Sequence, residues 1–336
     1  MQAIVFKALH QPLQVASLPA PTPGPDEVLI EVCRCGICGS DLHMTHDPAF
    51  AIAPDTVLGH EYSGRVVECG AQVNGLRVGD HVAVAPLRGC GQCEHCRRGE
   101  PAWCAAFSLQ GGGFAELATA RAHQCVVLPA SIGLADSALA EPLAVALHGV
   151  MRARLRPGAK VLVLGAGAIG LAVAYWARRL GAAKVCITDL GDWQRERALQ
   201  LGASDFLVDD GNLARRIPEC LGGPPDIVFE CVGRPGLIAA AVEHVRPRGT
   251  VVILGLCTVA DSFMPFRALS KEVSLVTSAF FNLDEFRAAL DVLDGPHATA
   301  LAMVSDTVSL AAMPQAFEAL RQRTHQCKVM VAPFSN

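Results

Sequence analysis

Residues 160–190, KVLVLGAGAIGLAVAYWARRLGAAKVCITDL, restrict the fold more than any other stretch of this chain. They combine an apolar strand, a glycine-rich turn, a helix and a second apolar strand. Similar strand candidates follow in DIVFECVG, GTVVILGL and VSLVTSAF, with helical patterns between them. Near-continuous apolar strands that alternate with helices are typical of parallel sheets covered on both faces. The sequence therefore predicts an α/β fold with a doubly wound parallel sheet.

The turn GAGAIG has the glycine spacing of a dinucleotide-binding turn and lies between a strand and a helix, as that role requires. Gly165 permits the tight turn, Gly167 lets a pyrophosphate approach the backbone, and Gly170 allows close helix–strand packing. The helix N-terminus offers free N–H groups to the phosphates. We therefore predict a Rossmann domain that binds a dinucleotide.

Asp189, at the end of the second strand, determines which dinucleotide we expect. A carboxylate at this point accepts hydrogen bonds from the adenosine ribose and repels a 2′-phosphate. NAD is therefore favoured over NADP. Arg195 and Arg197 follow within a few residues, and their positive charges could weaken this preference.

The stretch GCGQCEHCRRGEPAWC has the spacing Cys-x2-Cys-x2-Cys-x7-Cys, at Cys90, Cys93, Cys96 and Cys104. A redox pair would use only two of these thiols, and disulfides are rare in the cytosol. Four thiolates suit tetrahedral zinc with no open position. We therefore predict a structural zinc site in this loop.

The remaining composition excludes several other classes of protein. The 336-residue chain has a net charge of −4 and no long basic run, which disfavours nucleic-acid binding. No apolar stretch reaches the ~18 residues of a membrane span, and the N-terminus lacks a secretory signal pattern. We therefore expect a cytoplasmic protein with no nucleic-acid or membrane partner.

Reactive side chains are concentrated in three pieces of the β-rich first 150 residues, CGICGSDLH, GHEYSG and EPLAVALHG. A thiolate, an imidazole and a carboxylate can hold zinc and leave a position open for substrate. The candidates from these pieces are Cys38, Ser40, Asp41, His43, His60, Glu61 and Glu141.

Together with the cysteine loop and GAGAIG, these pieces occur in an order that resembles the zinc-dependent medium-chain alcohol dehydrogenases, on the sorbitol, threonine and butanediol dehydrogenase side of that family. The resemblance covers nearly the whole chain and implies three regions. These are a GroES-like catalytic domain over 1–145 with its structural zinc loop at about 86–106, a Rossmann NAD domain over 146–284, and a segment over 285–336 that returns to the catalytic domain. The active cleft would lie between the two domains.

The resemblance also implies roles for individual residues. Cys38 and His60 match the ligands of a catalytic zinc, while Glu61 and Glu141 are the alternatives for a third ligand. Ser40 matches the hydroxyl group that contacts the substrate oxygen, and His43 the next station of a proton relay. Asp41 resembles a carboxylate that orients the zinc-bound histidine. The implied dinucleotide contacts beyond the turn and Asp189 are Ile169, Leu254, Gly255, Leu256, Ser278, Ala279 and Phe280.

The activity implied is a reversible transfer of hydride between NAD and an alcohol, with two zinc ions per chain, one catalytic and one structural. Met44 stands where sorbitol-type members tend to have an aromatic residue, and Phe280 where they tend to have an arginine. The loss of that arginine and the gain of Phe280 suggest a less polar pocket, and the alternative is that these residues only pack in the core. A secondary alcohol or vicinal diol therefore leads, and a polyol or L-threonine is the alternative. A non-catalytic NAD-binding protein is a remote alternative. Family members are typically homodimers or homotetramers.

Overall fold

The structure is a computed structural model that describes residues 1–294 and 299–335. The chain divides into two compact units. We call Met1–Glu141 with Asn282–Asn336 the β-rich unit, and Pro142–Phe281 the parallel-sheet unit. The domain boundaries at 145 and 284 remain a prediction, because compact units and domains need not coincide.

The first part of the β-rich unit is built mainly of strands. Its strands are β1 (Gln2–Phe6), β2 (Gln14–Ser17), β3 (Glu27–Gly36), β4 (Thr56–Val57), β5 (Glu61–Cys69), β6 (His81–Val84), β7 (Leu87–Arg88), β8 (Ser108–Leu109), β9 (Leu117–Arg121) and β10 (Cys125–Val127). Its α-helices are α1 (Gly39–Met44) and α2 (Glu94–Arg97). Its 3₁₀ helices are Pro48–Phe50, Pro101–Trp103, Ala122–Gln124 and Asp136–Leu139.

The parallel-sheet unit alternates strands and helices. Helix α3 (Ala140–Arg152) leads into it, and its elements in chain order are β11 (Lys160–Leu164), α4 (Ala168–Arg179), β12 (Lys184–Asp189), α5 (Arg195–Gln200), β13 (Asp205–Val208), α6 (Leu213–Leu221), β14 (Ile227–Glu230), α7 (Leu237–His244), β15 (Thr250–Ile253), α8 (Pro265–Ser270) and β16 (Ser274–Thr277).

The chain then returns to the β-rich unit. The elements of this last segment are α9 (Leu283–Asp291), the 3₁₀ helix Thr299–Met303, β17 (Val304–Ser309), α10 (Met313–Ala319), the 3₁₀ helix Leu320–Gln322 and β18 (Lys328–Ala332). Strand β18 pairs with β3, so the largest sheet of the β-rich unit runs β10-β6-β5-β3-β18-β17, with β9 also paired to β3. This pairing places the end of the chain beside the strand that leads to Cys38.

The six strands of the parallel-sheet unit run in the order β13-β12-β11-β14-β15-β16, and every pairing is parallel. Strand β11 is apolar at nearly every position because both of its faces are buried. The glycine turn follows β11, where the strand order changes direction, and such a switch point is where doubly wound sheets bind ligands. The structure confirms the predicted parallel sheet and the β-rich domain.

No helix among residues 1–294 and 299–335 has the length and apolar character needed to cross a membrane.

Candidate metal and cofactor sites

Cys38, His60 and Glu61 lie together in the β-rich unit. Cys38 precedes α1, His60 precedes β5, and Glu61 begins β5. Strand pairing brings them together, because Gly36 at the end of β3 is paired with Glu61. One ligand atom of each of the three lies within 4.8 Å of the others. The sequence prediction placed these residues at one metal site, and their geometry suits that role.

Asp41 connects the cysteine and the histidine of this cluster. Its side chain is fully buried, and Oδ2 accepts a hydrogen bond from the Cys38 backbone N–H at 3.0 Å. Oδ1 lies 3.4 Å from His60 Nδ1 and has no hydrogen-bond partner. Burial lowers the pKa of His60, but the Asp41 carboxylate and then Cys38 raise it well above its usual value. The same negative charges would stabilise a metal ion at the other ring nitrogen, so the donor set fits zinc.

Lys328 is a member of this site that the sequence prediction missed. Its ammonium group is buried, 2.6 Å from each carboxylate oxygen of Glu61, and it also donates to the Ile37 carbonyl at 3.1 Å. Burial lowers the pKa of Lys328, but Glu61 raises it above its usual value. A Cβ on Gly36 would lie 2.0 Å from Glu61 Oε2, so a glycine is needed beside this pair. The available signal was a lysine beginning the otherwise apolar strand KVMVA.

Glu141, the alternative third ligand, lies in the first turn of α3 and is buried. Burial raises its pKa to about 7, and His60 and Glu61 act on it electrostatically. Among the described residues, the group whose ligand atoms all lie within 4.8 Å contains Glu61 and not Glu141. Glu61 is thus nearer to the other ligands, although Lys328 already neutralises its charge.

Ser40 and His43 lie on α1 and are both partly buried. Burial lowers the pKa of His43, Asp47 raises it, and Arg321 lowers it, with a net decrease. Met44, which the sequence analysis associated with the substrate pocket, is buried in the apolar core with Tyr62 and Phe114. This agrees with the core-packing alternative for Met44, and the argument for a less polar pocket rests on Phe280.

The four predicted structural ligands Cys90, Cys93, Cys96 and Cys104 also cluster, with ligand atoms within 4.8 Å of one another. All four are free thiols, which excludes the disulfide alternative in this structure. The Sγ atoms of Cys90 and Cys96 are 4.0 Å apart, close to the edge of about 3.8 Å expected for a tetrahedron of zinc–sulfur bonds.

Backbone N–H groups of the cysteine loop donate hydrogen bonds to the cysteine sulfur atoms, which favours metal binding. The N–H of Cys93 donates to Cys90 Sγ at 3.3 Å, and that of Ala106 to Cys104 Sγ at 3.4 Å. Hydrogen bonds from the Gln92 and Cys93 backbones lower the pKa of Cys90 to about 6, which favours its thiolate, whereas burial raises the pKa of the neighbouring Cys96. A Cβ on Gly89 would lie 2.6 Å from Cys96 Sγ. The loop therefore fits a closed zinc site.

The glycine turn of the parallel-sheet unit has the expected geometry. Gly165 has φ 95°, a left-handed value that favours glycine. A Cβ on Gly170 would lie 1.9 Å from the Gly165 carbonyl oxygen, so the close helix–strand approach requires glycine there. Asp189 Oδ2 accepts a hydrogen bond from the Ala166 N–H at 2.9 Å. The turn and the predicted ribose carboxylate are therefore in direct contact.

The other predicted dinucleotide contacts follow β15 and β16. Gly255 packs against Gly233, because a Cβ there would lie 2.1 Å from the Gly233 nitrogen. Ser278 Oγ is buried without a hydrogen-bond partner, which suits a hydroxyl group that hydrogen-bonds to a bound ligand. Phe280 has φ 59°, a strained conformation for an aromatic residue. Ile169 and Leu254 are partly buried, whereas Leu256 and Ala279 are exposed.

Comparison with known proteins shows which family the chain resembles. The family model for the alcohol dehydrogenase GroES-like domain matches residues 24–130, and that for zinc-binding dehydrogenases matches residues 168–295. Sorbitol dehydrogenase of Ovis aries is 32% identical, over 92% of this chain and 91% of the relative.

The solved structures that resemble this chain include two that are similar over 99% of both chains. One is 2R,3R-butanediol dehydrogenase of Bacillus subtilis, with 27% identity and a TM-score of 0.86. The other is a protein assigned as a zinc-binding dehydrogenase, from Sinorhizobium meliloti 1021 and bound to NADP, with 30% identity and a TM-score of 0.87.

The chain belongs to the zinc-dependent medium-chain alcohol dehydrogenase family. It is an oxidoreductase that uses zinc and a nicotinamide dinucleotide.

Proposed function

We propose that this enzyme transfers hydride between NAD and a secondary alcohol or vicinal diol, reversibly, with a zinc ion at Cys38 and His60. The observation that carries the proposal is the cluster of Cys38, His60 and Glu61, in which the buried Asp41 carboxylate lies 3.4 Å from the His60 ring. Zinc bound there would act as a Lewis acid and lower the pKa of the substrate hydroxyl group. A ligand set of this kind leaves a position open for substrate, as catalytic zinc sites do.

The chain's own residues move the proton. Ser40, which would contact the substrate oxygen, would take the substrate's proton as it gives its own hydroxyl proton to the relay, and His43, on the same helix, would pass a proton towards solvent. The lowered pKa of His43 keeps its ring neutral and able to accept a proton at neutral pH. Ser278 and the Phe280 backbone would hold the nicotinamide end of the dinucleotide.

The proposed substrate class depends on Phe280, which stands where sorbitol-type members tend to have an arginine. Phe280 offers an aromatic ring where an arginine would contact polyol hydroxyl groups, which favours a less polar alcohol. The similarity to sorbitol dehydrogenase supports a polyol as the second candidate. Measuring NADH formation with secondary alcohols, diols, polyols, aromatic alcohols and L-threonine tests both. If none of these supports NADH formation, the non-catalytic alternative replaces the proposal.

NAD is preferred to NADP in this proposal, although one similar structure binds NADP. Asp189 lies against the glycine turn, and the arginines that follow have other partners. Arg195 donates to the Phe206 carbonyl at 2.8 Å and lies over its ring, and Arg197 is bonded to Gln194. These contacts hold part of each guanidinium group away from a 2′-phosphate, while Asp189 would repel it.

Replacing Asp189 with serine should decrease kcat/KM for NAD by about tenfold or more, because a hydrogen bond to a charged group is lost. The value for NADP should rise, since the repulsion of its 2′-phosphate is removed. Asp192→Ser is the control, and it should leave the ratio of the two values near that of the wild type. Steady-state kinetics with both dinucleotides measures this, and an unchanged ratio in Asp189→Ser would contradict the assignment.

Two zinc ions per chain are part of the proposal, with the second at the cysteine loop. Replacing Cys93 with serine should decrease the zinc content from two ions to one per chain. It should also lower the melting temperature, because metal binding contributes directly to folding free energy. Elemental analysis and calorimetry measure both effects, with Cys257→Ser as the control. A Cys93→Ser protein with two zinc ions and unchanged stability would contradict the structural site.

A homodimer or homotetramer is also proposed. Strand β16 is an edge of the parallel sheet, and exposed apolar side chains lie on it and on α8 just before it. Phe266, Leu269 and Leu275 are 66%, 72% and 39% exposed. A second copy would bury this surface, and the mass of the protein in solution measures whether it does.

The cytosol remains the proposed compartment, since thiolate sites need reduced cysteines.

A further inference from the structure

Arg321 joins the last segment of the chain to α1, the helix that carries Ser40 and His43. It lies in the 3₁₀ helix that follows α10. Its Nη1 donates to the Leu42 carbonyl at 3.2 Å, and its Nη2 donates to Thr45 Oγ1 at 2.8 Å. These partners are 279 and 276 residues away in sequence, so the contact is set by the tertiary fold.

The guanidinium group of Arg321 is itself held in place. Glu318 accepts from its Nε at 2.7 Å and from its Nη2 at 3.2 Å, and the group lies 5.5 Å from the centre of the Phe317 ring. The side chain is only 22% exposed. A planar guanidinium that is fixed on one side by a carboxylate presents its remaining donors in a defined direction.

Helix α1 needs a partner at this end. It has only six residues, and the last carbonyl groups of a helix receive no hydrogen bond from N–H groups of the same helix. Thr45, the C-terminal capping residue, is buried and donates its hydroxyl to the same Leu42 carbonyl at 3.0 Å. A positive charge near a helix C-terminus is also electrostatically favourable. Arg321 therefore satisfies polar groups where the helix ends.

We propose that Arg321 is a positioning residue that fixes the last turn of α1 and so holds His43 and Ser40 in the orientation needed for proton transfer. The relay itself rests on the proposed function, but the contact between Arg321 and α1 does not. Arg321 acts on His43 in two ways. It restrains the backbone that carries the ring, and its charge disfavours the protonated ring.

Among residues 1–294 and 299–335, the charged and titratable groups with contacts around this end of α1 include Asp47, His46, His10, Glu318 and Arg321. Burial is the largest cause of the lowered pKa of His43, Asp47 opposes it, and Arg321 reinforces it. Removing the charge of Arg321 should therefore raise the pKa of His43. Because His43 must be neutral to accept a proton, the acidic limb of the alcohol-oxidation profile should move to higher pH.

The test uses the zinc-loaded enzyme with Arg321→Met, Arg321→Lys and the control Arg287→Met, which removes an exposed arginine paired with Asp284. In Arg321→Met we expect an increased pKa of His43 in an NMR titration, faster hydrogen exchange of the α1 amides, and a kcat lower by about tenfold. Zinc content and NADH affinity should not change. Arg321→Lys should restore the pKa of His43, because the positive charge is kept. It should restore only part of the protection of the α1 amides against hydrogen exchange, because lysine lacks the two-pronged donor geometry of the guanidinium group. Arg287→Met should match the wild type in all of these.

If Arg321→Met does not fold, Thr45→Val removes the hydroxyl partner instead and should speed α1 exchange in the same direction. An unchanged His43 titration together with unchanged α1 exchange in the variant that folds would overturn the proposal. The titration and the exchange do not depend on turnover. A wild-type enzyme that oxidises no alcohol would therefore count against the proposed function while Arg321 is still tested.

Discussion

Replacing Cys38 with alanine is expected to abolish alcohol oxidation while NADH still binds. Without this thiolate, the cluster keeps His60 and a Glu61 that Lys328 already neutralises, so zinc loses its strongest donor. Lewis-acid assistance contributes several kcal/mol, so turnover should fall more than about a thousandfold. The proposed dinucleotide residues lie in the other unit, so NADH binding should be unaffected. Steady-state kinetics, zinc analysis and NADH fluorescence titration on the same preparation measure the three effects.

The control for this variant is Cys33→Ala, which removes a partly exposed thiol from the strand that leads to the site. It should keep two zinc ions and near-normal turnover. Retained turnover in Cys38→Ala would remove the metal cluster from the mechanism. Loss of NADH binding together with turnover would mean that the substitution disrupts the fold and not only the metal site.

Replacing Lys328 with methionine should have the largest effect on stability. It leaves Glu61 as a buried carboxylate without a partner, and removing one member of a buried ion pair typically costs about 3–5 kcal/mol. The loss should be greater in the zinc-free protein, because a bound zinc ion compensates part of the charge. Denaturant unfolding of the zinc-loaded and zinc-free forms measures the difference.

A second substitution separates the charge effect from packing. In Lys328→Met with Glu61→Gln, no charge remains unpaired, and much of the lost free energy of unfolding should return. Lys328→Arg keeps the charge and should lose less stability than Lys328→Met. If the double variant is no more stable than Lys328→Met, the ion pair is not what stabilises this region.

The sequence was a good guide to the fold because its signals are local. The apolar strand, the glycine turn and the helix after it lie within residues 160–190, and each follows from neighbouring residues. The cysteine loop is local too, and its four thiols cluster as the spacing predicts. The motifs around Cys38 and His60 are separated in sequence. Their assignment to one site was predicted from the resemblance to a family and not from their spacing.

Lys328 and Arg321 could not be found in this way, because their meaning depends on partners that are far away in the chain. A lysine in an apolar strand reads as an exposed edge position until its contact with Glu61 is seen. An arginine after a helix reads as a surface charge until its bonds to the Leu42 carbonyl and Thr45 are seen. Met44 was considered for the substrate pocket by alignment alone, and its place in the apolar core agrees with the alternative that it only packs there.

Deuterium transfer tests the central claim most directly. The best alcohol from the substrate panel, deuterated at the carbon that bears the hydroxyl group, is oxidised with NAD in ordinary water. If the alcohol is held beside the dinucleotide and loses its hydrogen as hydride, each NADH formed carries one deuterium atom. NADH without deuterium, with the label released into the water, would contradict the account.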